Sequence, residues 1–244
     1  MIYITGDTHA ALDTESGLYT QDQMMRKDFI QGLNKDDILI VLGDFGYTWT
    51  PSILEQYHCP AVTLTIDGNH DNFEYLNSCP RISMFGSEVG VIKENVYRLI
   101  SGNVYDIQGI RVFVFGGALS IDKYRRIPYV SWWPEEIPSA SDFNRGMKNL
   151  EAAGYDMDLF LAHTCPSEVS DELFSYSNKI YDPVETMLSQ YESLIQEHNP
   201  GKNYHFLFGH HHQFKWGDKY ICLYHQILSV TRKGDDIELN TVLQ

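Results

Sequence analysis

Asp7 and His9 stand two residues apart just after the apolar run Ile2-Tyr3-Ile4, and His210 and His212 repeat that spacing after Phe206-Leu207-Phe208. In extended backbone alternate side chains point the same way, so each pair can reach one ion. Three further runs end in similar residues. Ile38 to Leu42 leads into Gly43-Asp44, Ala61 to Ile66 leads to Gly68-Asn69-His70-Asp71, and Leu159 to Ala162 leads into His163. A sixth run, Val112 to Phe115, ends in Gly116-Gly117 and supplies no ligand. The donors are nitrogen and oxygen without sulfur, a mixture that suits Mn, Fe, Zn or Ni better than an all-oxygen calcium site. The Asp44 carboxylate can bridge two ions, and so many donors gathered together suggest a two-metal centre.

Such donors must be carried by strands, because ligands in α/β sheets collect beyond the strands' carboxyl ends. The six runs are short, rich in Val, Ile, Leu and Phe, and read as buried strands. Between them lie helical segments. Thr20 to Leu33 places Met24, Met25, Phe29, Ile30 and Leu33 at helical spacing. Asp142 to Ala153 starts on an N-cap type and stops at Gly154, and Asp182-Pro183 opens a helix that Pro200-Gly201 ends. In that last helix Val184, Met187, Leu188, Tyr191, Leu194 and Ile195 recur at the right period. Lys219 to Val230 and Asp235 to Val242 read as antiparallel strands joined through Lys233-Gly234-Asp235. Asp122 to Ala140 reads as a long ordered loop over the site face. The sum is a layered α/β domain with a mixed sheet core, spanning residues 1–244 without a linker.

Bulk properties narrow the partners. The 244 residues carry 18 Lys+Arg against 33 Asp+Glu, a formal charge of −15. That balance argues against extended nucleic-acid binding, which rests on neutralising phosphates. Cys59, Cys79, Cys165 and Cys222 form no CxxC pair, and each reads as a small buried hydrophobe. No run has the length of a membrane span, and cleavage of a leader would remove Asp7 and His9, so the expected location is the cytoplasm.

The series Asp7-Thr8-His9, Gly43-Asp44, Gly68-Asn69-His70-Asp71, His163 and Gly209-His210-His211-His212 resembles the motifs of the calcineurin-like metallophosphoesterase family, in the family's order. The resemblance implies a four-layer sandwich of two mixed β-sheets flanked by helices, with a dinuclear site on one edge. It implies one metal held by Asp7, His9, Asp44 and His212 and a second by Asp44, Asn69, His163 and His210, with manganese the favoured ion. His70 would stand beside the substrate phosphate, protonating the leaving oxygen or steadying the transition state, and Asp71 would orient it. The activity implied is hydrolysis of a phosphate ester by a hydroxide that two metals activate. A small phosphomonoester is the favoured substrate. A nucleotide or nucleic-acid diester, a phosphoprotein, and a non-catalytic scaffold of the same fold are the alternatives. Two positions depart from the pattern. Ala10 stands where many relatives have glycine, and Phe45-Gly46-Tyr47 replaces the arginine-bearing stretch of the protein phosphatases.

Other residues are open to two readings. Lys123, Arg125 and Arg126 can clamp a phosphate or second anionic group, or form a solvated loop paired with Glu135 and Glu136. Tyr47 stands close enough to Asp44 to line the pocket. Trp49 and the pair Trp132-Trp133 read first as packing residues. His211 reads as a bystander, and Asp13 and Glu15 as solvated. The sequence leaves the oligomeric state open.

Overall fold

All six motif runs form strands, and within each sheet they lie parallel. In the computed structural model, residues 1–11, 21–174 and 180–243 are described; the expected positions of Asp13, Glu15 and Thr20 fall outside them. The strands are β1 (Ile2–Thr5), β2 (Ile38–Val41), β3 (Val62–Thr65), β4 (Arg81–Met84), β5 (Ser87–Lys93), β6 (Val96–Leu99) and β7 (Val104–Ile107). They continue with β8 (Ile110–Phe115), β9 (Leu159–Ala162), β10 (His205–Phe208), β11 (Lys215–Trp216), β12 (Tyr220–Cys222), β13 (Ile227–Lys233) and β14 (Asp236–Leu243). An eight-stranded sheet has the order β14-β13-β1-β2-β3-β6-β5-β4, and a six-stranded sheet the order β11-β12-β10-β9-β8-β7. Both are mixed. Strands β1, β2, β3 and β6 pair in parallel, as do β8, β9, β10 and β12, with antiparallel strands at the margins.

Side-chain alternation along each strand builds the layers. Ile38, Ile40 and Leu42 join Ile2, Ile4 and Leu64 in a core shared with Val112, Val114, Leu159, Leu161 and Leu207 of the other sheet. The intervening Leu39 and Val41 face outward and pack with Ile30, Leu33, Leu54 and Leu76. On the far side Phe113, Phe115, Phe160, Phe206 and Phe208 pack against Leu150, Leu188, Tyr191 and Ile195. The helices that cover these faces are α1 (Gln21–Gln31), α2 (Pro51–Glu55), α3 (Phe73–Ser78), α4 (Ala140–Ala152), α5 (Ser167–Leu173) and α6 (Pro183–His198). The result is the four-layer arrangement of two mixed sheets between helices. No helix among the described residues is long and apolar enough to cross a membrane.

Three expectations shift. Helix α1 buries Gln23, Arg26 and Ile30, while Met24 and Met25 are 52% and 41% exposed. Its inward face is set by Arg26, whose Nη1 donates to the carbonyls of Asp7 (2.8 Å) and Tyr224 (2.7 Å). The N-cap of α4 is Ser139 rather than Asp142, which occupies the third helical position and closes a capping box with it. The segment expected as one strand from Lys219 to Val230 divides into β12 and β13, which belong to different sheets. The crossing is pinned at Leu223, whose N–H donates to Phe208 O at 2.8 Å. A side chain on Gly6 would meet Leu223 O at 2.1 Å, so only glycine admits the crossing there.

A buried ion pair ties β6 to the turn after β3. Arg98 Nε and Nη2 donate to Asp67 Oδ1 and Oδ2 at 2.6 and 3.0 Å, Nη1 donates to Asn77 Oδ1, and both charged side chains are 8% exposed. Ser101 Oγ adds a bond to Asp67 at 3.2 Å. Arg98→Met leaves the Asp67 carboxylate buried without its counter-charge, which costs about 3–5 kcal/mol. Urea unfolding of the two proteins measures this, and a loss below about 1 kcal/mol would show the pair to be dispensable.

Candidate metal centre

The donor residues all follow carboxyl ends of parallel strands: Asp7 and His9 after β1, Asp44 after β2, Asn69 after β3, His163 after β9, and His210 and His212 after β10. The site therefore draws on both sheets. The backbone turns sharply to bring them in. His9, Asp44, His210 and His212 have φ of 45°, 47°, 65° and 50°, in the left-handed region that non-glycine residues seldom adopt. Ala10 also lies there, at φ 59°, a conformation that glycine adopts without strain. Gly68 is required for a different reason: a side chain on it would meet Asp44 Oδ1 at 2.1 Å.

The donors converge as two overlapping groups. Single ligand atoms of Asp7, His9 and His212 lie within 4.8 Å of one another, and so do those of Asp7, Asp44 and His163. His9 Nε2 and His212 Nε2 face each other at 3.0 Å. Asn69 Oδ1 lies 2.9 Å from His163 Nε2 and 3.1 Å from His210 Nδ1. Asp44 Oδ2 lies 3.5 Å from His163 Nε2 and 3.8 Å from His9 Nε2, within reach of an imidazole from each group, while Asp7 is the residue the two groups share. The backbone N–H of His210 donates to both Asp7 carboxylate oxygens and that of His70 to Asp44 Oδ1, which fixes each carboxylate.

Several contacts define which atoms are available. His163 Nδ1 donates to Leu42 O at 2.7 Å, leaving Nε2 as the ligand nitrogen, as is usual for metal-binding histidine. Asn69 Nδ2 donates to Ser120 Oγ at 2.9 Å, and Ser120 Oγ donates to Glu136 Oε2 at 2.5 Å. That chain orients the Asn69 amide so that its oxygen faces the imidazoles. Ser120 was not marked by the sequence. Glu136, a partner of the basic run in its reading as a solvated loop, is instead 0% exposed and bonded to Ser120.

The electrostatics fit a cation. Burial alone would raise the Asp44 pKa, but the imidazoles of His163, His70 and His9 hold it well below the carboxylate range. Burial opposes a charge on His163, yet Asp44 and Asp7 push its pKa up to about 10. A proton there marks negative potential that a metal ion would satisfy in its place. Burial, with the neighbouring imidazoles, lowers the pKa of His210 and His212, so both offer free lone pairs at neutral pH.

His70 lies at the rim of this cluster. Its carbonyl accepts from Trp49 Nε1 at 2.7 Å, and Trp49 packs edge-on against the buried Trp133. Both tryptophans thus act as packing residues that hold His70. Burial lowers the His70 pKa, reinforced by Arg126 and His9 and opposed by Asp44 and Asp122. Asp71 does not orient the His70 ring. Its Oδ2 accepts from Gly68 N at 2.8 Å and its Oδ1 has no partner, because the side chain turns back to close the Gly68–Asp71 turn. Burial, then the Asp44 charge, pushes its pKa up to about 7.

Of the basic run only Arg126 reaches the site. Its Nη2 is 3.3 Å from His70 Nε2, while Nε donates to Asp122 Oδ1 at 2.9 Å. Lys123 and Arg125 are exposed beside the rings of Trp132 and Tyr124. Tyr47 packs with Phe45 and Tyr57 at ring distances of 5.1 and 4.7 Å and is not among the residues lining the cavity at the donors. That cavity, about 470 Å³, is bordered by Asp44, Asn69, His70, His210 and His212. A larger hollow of about 570 Å³, lined by Gln31, His58, Cys59 and Lys93, contains none of the donors and has no claim on the chemistry. His211 does line the donor cavity, stacked on Phe174 at 4.0 Å, and so is more than a bystander.

No curated protein sequence matches the chain. The model of the calcineurin-like phosphoesterase family matches residues 1–214, which include all seven donors and His70. The family's chemistry is metal-dependent phosphoester hydrolysis, and a match over most of the chain places this protein in the calcineurin-like phosphoesterase family.

Proposed function

We propose that the protein is a two-metal phosphomonoesterase acting in the cytoplasm on a small phosphorylated molecule. The observation that carries this reading is the gathering of donors from both sheets, with Asp44, Asn69, His210 and His212 lining a bounded cavity and His70 and Arg126 beside them. Asp7, His9, Asp44 and His212 would hold one ion, and Asp44, Asn69, His163 and His210 the other. Two such ions, with manganese favoured, would lower the pKa of a water and balance charge on phosphoryl oxygens.

The chain's own residues supply the rest. Arg126, braced by Asp122 and by Ser131 O, can turn its Nη2 from His70 to a non-bridging phosphate oxygen. His70 stands on the same side, placed to serve the leaving oxygen. A monoester presents three non-bridging oxygens to these groups, whereas a diester must seat a second substituent.

Hydrolysis of nitrophenyl phosphate and of bis(nitrophenyl) phosphate by manganese-loaded protein tests the reading. The expected result is a kcat/KM at least tenfold higher for the monoester. A preference for the diester would make the protein a phosphodiesterase, and turnover of neither would remove the catalytic reading.

A further inference from the structure

Of the six motif runs, the one that forms β8 ends in Gly116-Gly117 and delivers no metal ligand. What it delivers instead is Ser120. Gly117 N donates to Asp67 O at 2.7 Å, which ties this turn to the one that carries Asn69. A side chain on Gly117, at φ 92°, would meet Glu136 O at 2.4 Å, so the short turn Pro134–Glu136 seats directly on the glycine. Ser120 and Glu136 are buried with Asn69, and neither is among the residues bordering the donor cavity. Both can act on the chemistry only through Asn69.

The hydrogen bonds in this chain can run only one way. Glu136 accepts from Ser120 N on Oε1 at 3.1 Å and from Ser120 Oγ on Oε2 at 2.5 Å. Burial raises the pKa of this carboxyl, and the two Ser120 bonds work against that rise and favour the ionised form. An ionised carboxylate only accepts, so the single serine proton is committed to Oε2 and the serine oxygen is left to accept. Its partner on Asn69 must then be Nδ2, 2.9 Å away. That turns the amide oxygen to His163 Nε2 and His210 Nδ1, at 2.9 and 3.1 Å. His70 Nε2 offers the amide nitrogen another acceptor at 3.1 Å, but Arg126 Nη2 competes for the same lone pair at 3.3 Å.

We infer that Glu136, acting through Ser120, is a positioning residue for the second metal ion, fixing which end of the Asn69 amide faces the cation. The inference rests on the two-metal reading, in which Asp44, Asn69, His163 and His210 hold that ion, and adds to it the residues that keep Asn69 a ligand. Glu136→Gln reverses the chain. The Ser120 N–H still requires an oxygen opposite it, which places the glutamine NH2 against Ser120 Oγ. That NH2 donates to the serine oxygen, the serine proton turns to Asn69, and the amide oxygen follows it away from the ion.

Chelator titration of the manganese-loaded chain, with released Mn read by its spin-resonance signal, tests this. The parent is expected to release two ions. Glu136→Gln should hold one as the parent does and the other about 10–100-fold more weakly, the usual cost of losing an outer-shell partner. Ser120→Ala breaks the chain without reversing it, so its loss at that ion is smaller. With no hydroxyl at position 120 the glutamine cannot act on Asn69. The double variant Ser120→Ala/Glu136→Gln should therefore hold the second ion more tightly than Glu136→Gln alone, whereas a merely structural role makes the two losses add. Parent-like affinity for both ions in Glu136→Gln, or a double variant weaker than Glu136→Gln, overturns the positioning role and leaves the two-metal reading intact. If Glu136→Gln does not fold, Ser120→Ala stands in: a loss confined to one ion supports the role, and no loss or an equal loss at both overturns it. A parent that releases fewer than two ions overturns both readings.

Discussion

Asp44→Asn is expected to lower the phosphomonoesterase rate of manganese-loaded protein by about a thousandfold or more, and to lower the metal retained after dialysis. The substitution is close to isosteric. An asparagine oxygen in place of Oδ1 can still accept from His70 N, the 2.7 Å bond that holds the turn after β3. What disappears is the negative charge on Oδ2, the atom 3.5 Å from His163 Nε2 and 3.8 Å from His9 Nε2. On the proposed ligand assignment, in which Asp44 serves both ions, a neutral amide there would weaken both together. Metal-ion catalysis contributes several kcal/mol of transition-state stabilisation, and each ~1.4 kcal/mol is a factor of ten. Rates on nitrophenyl phosphate, with metal content by atomic emission, decide the matter. A variant that keeps two ions per chain and a rate within tenfold of the parent would show that Asp44 bridges nothing.

The residues in that prediction were legible from sequence because their signals are local. Asp7 and His9, or His210 and His212, announce themselves by a spacing of two after an apolar run, and Gly43 and Gly68 by sitting where a turn must follow a strand. Each signal spans fewer than about ten residues, the length over which strand periodicity speaks. The supporting contacts lack such a signal. Arg98 finds Asp67 across 31 residues, Glu136 finds Ser120 across 16, and Arg26 finds Tyr224 across 198. In sequence each looks like an ordinary surface charge. The inward face of α1 was misplaced for the same reason, since two backbone carbonyls outweigh the apolar pattern of Met24 and Met25. Strands β4 to β7 had no motif at all. They extend sheets whose position is set by other strands, and β4 is mostly exposed, so its pattern carries little burial signal.

His70→Ala should separate substrates by their leaving groups. Arg126 Nη2 and Asn69 Nδ2, both donors, lie 3.3 and 3.1 Å from His70 Nε2, so in the resting site that nitrogen accepts and the ring proton is assigned to Nδ1. Burial keeps the ring's pKa below its ordinary value, with Arg126 acting in the same direction. A bound phosphate dianion reverses both influences: it places negative charge beside the ring and draws the guanidinium onto its own oxygens. The imidazole can then take up a proton and deliver it to a departing alkoxide. General acid catalysis of this kind is worth about 10²–10⁴-fold, so alkyl phosphate turnover should fall by that factor in the variant. Nitrophenolate leaves without a proton, and its ester should lose less than about tenfold. The pH profile gives an independent readout. An acid must be protonated to act, so the parent's kcat on alkyl phosphate should decline as pH rises through the pKa of His70 in the complex, and His70→Ala should lack that limb. Equal losses on both esters would instead assign His70 to binding the phosphate, with Arg126, and leave the leaving oxygen to find its proton from solvent.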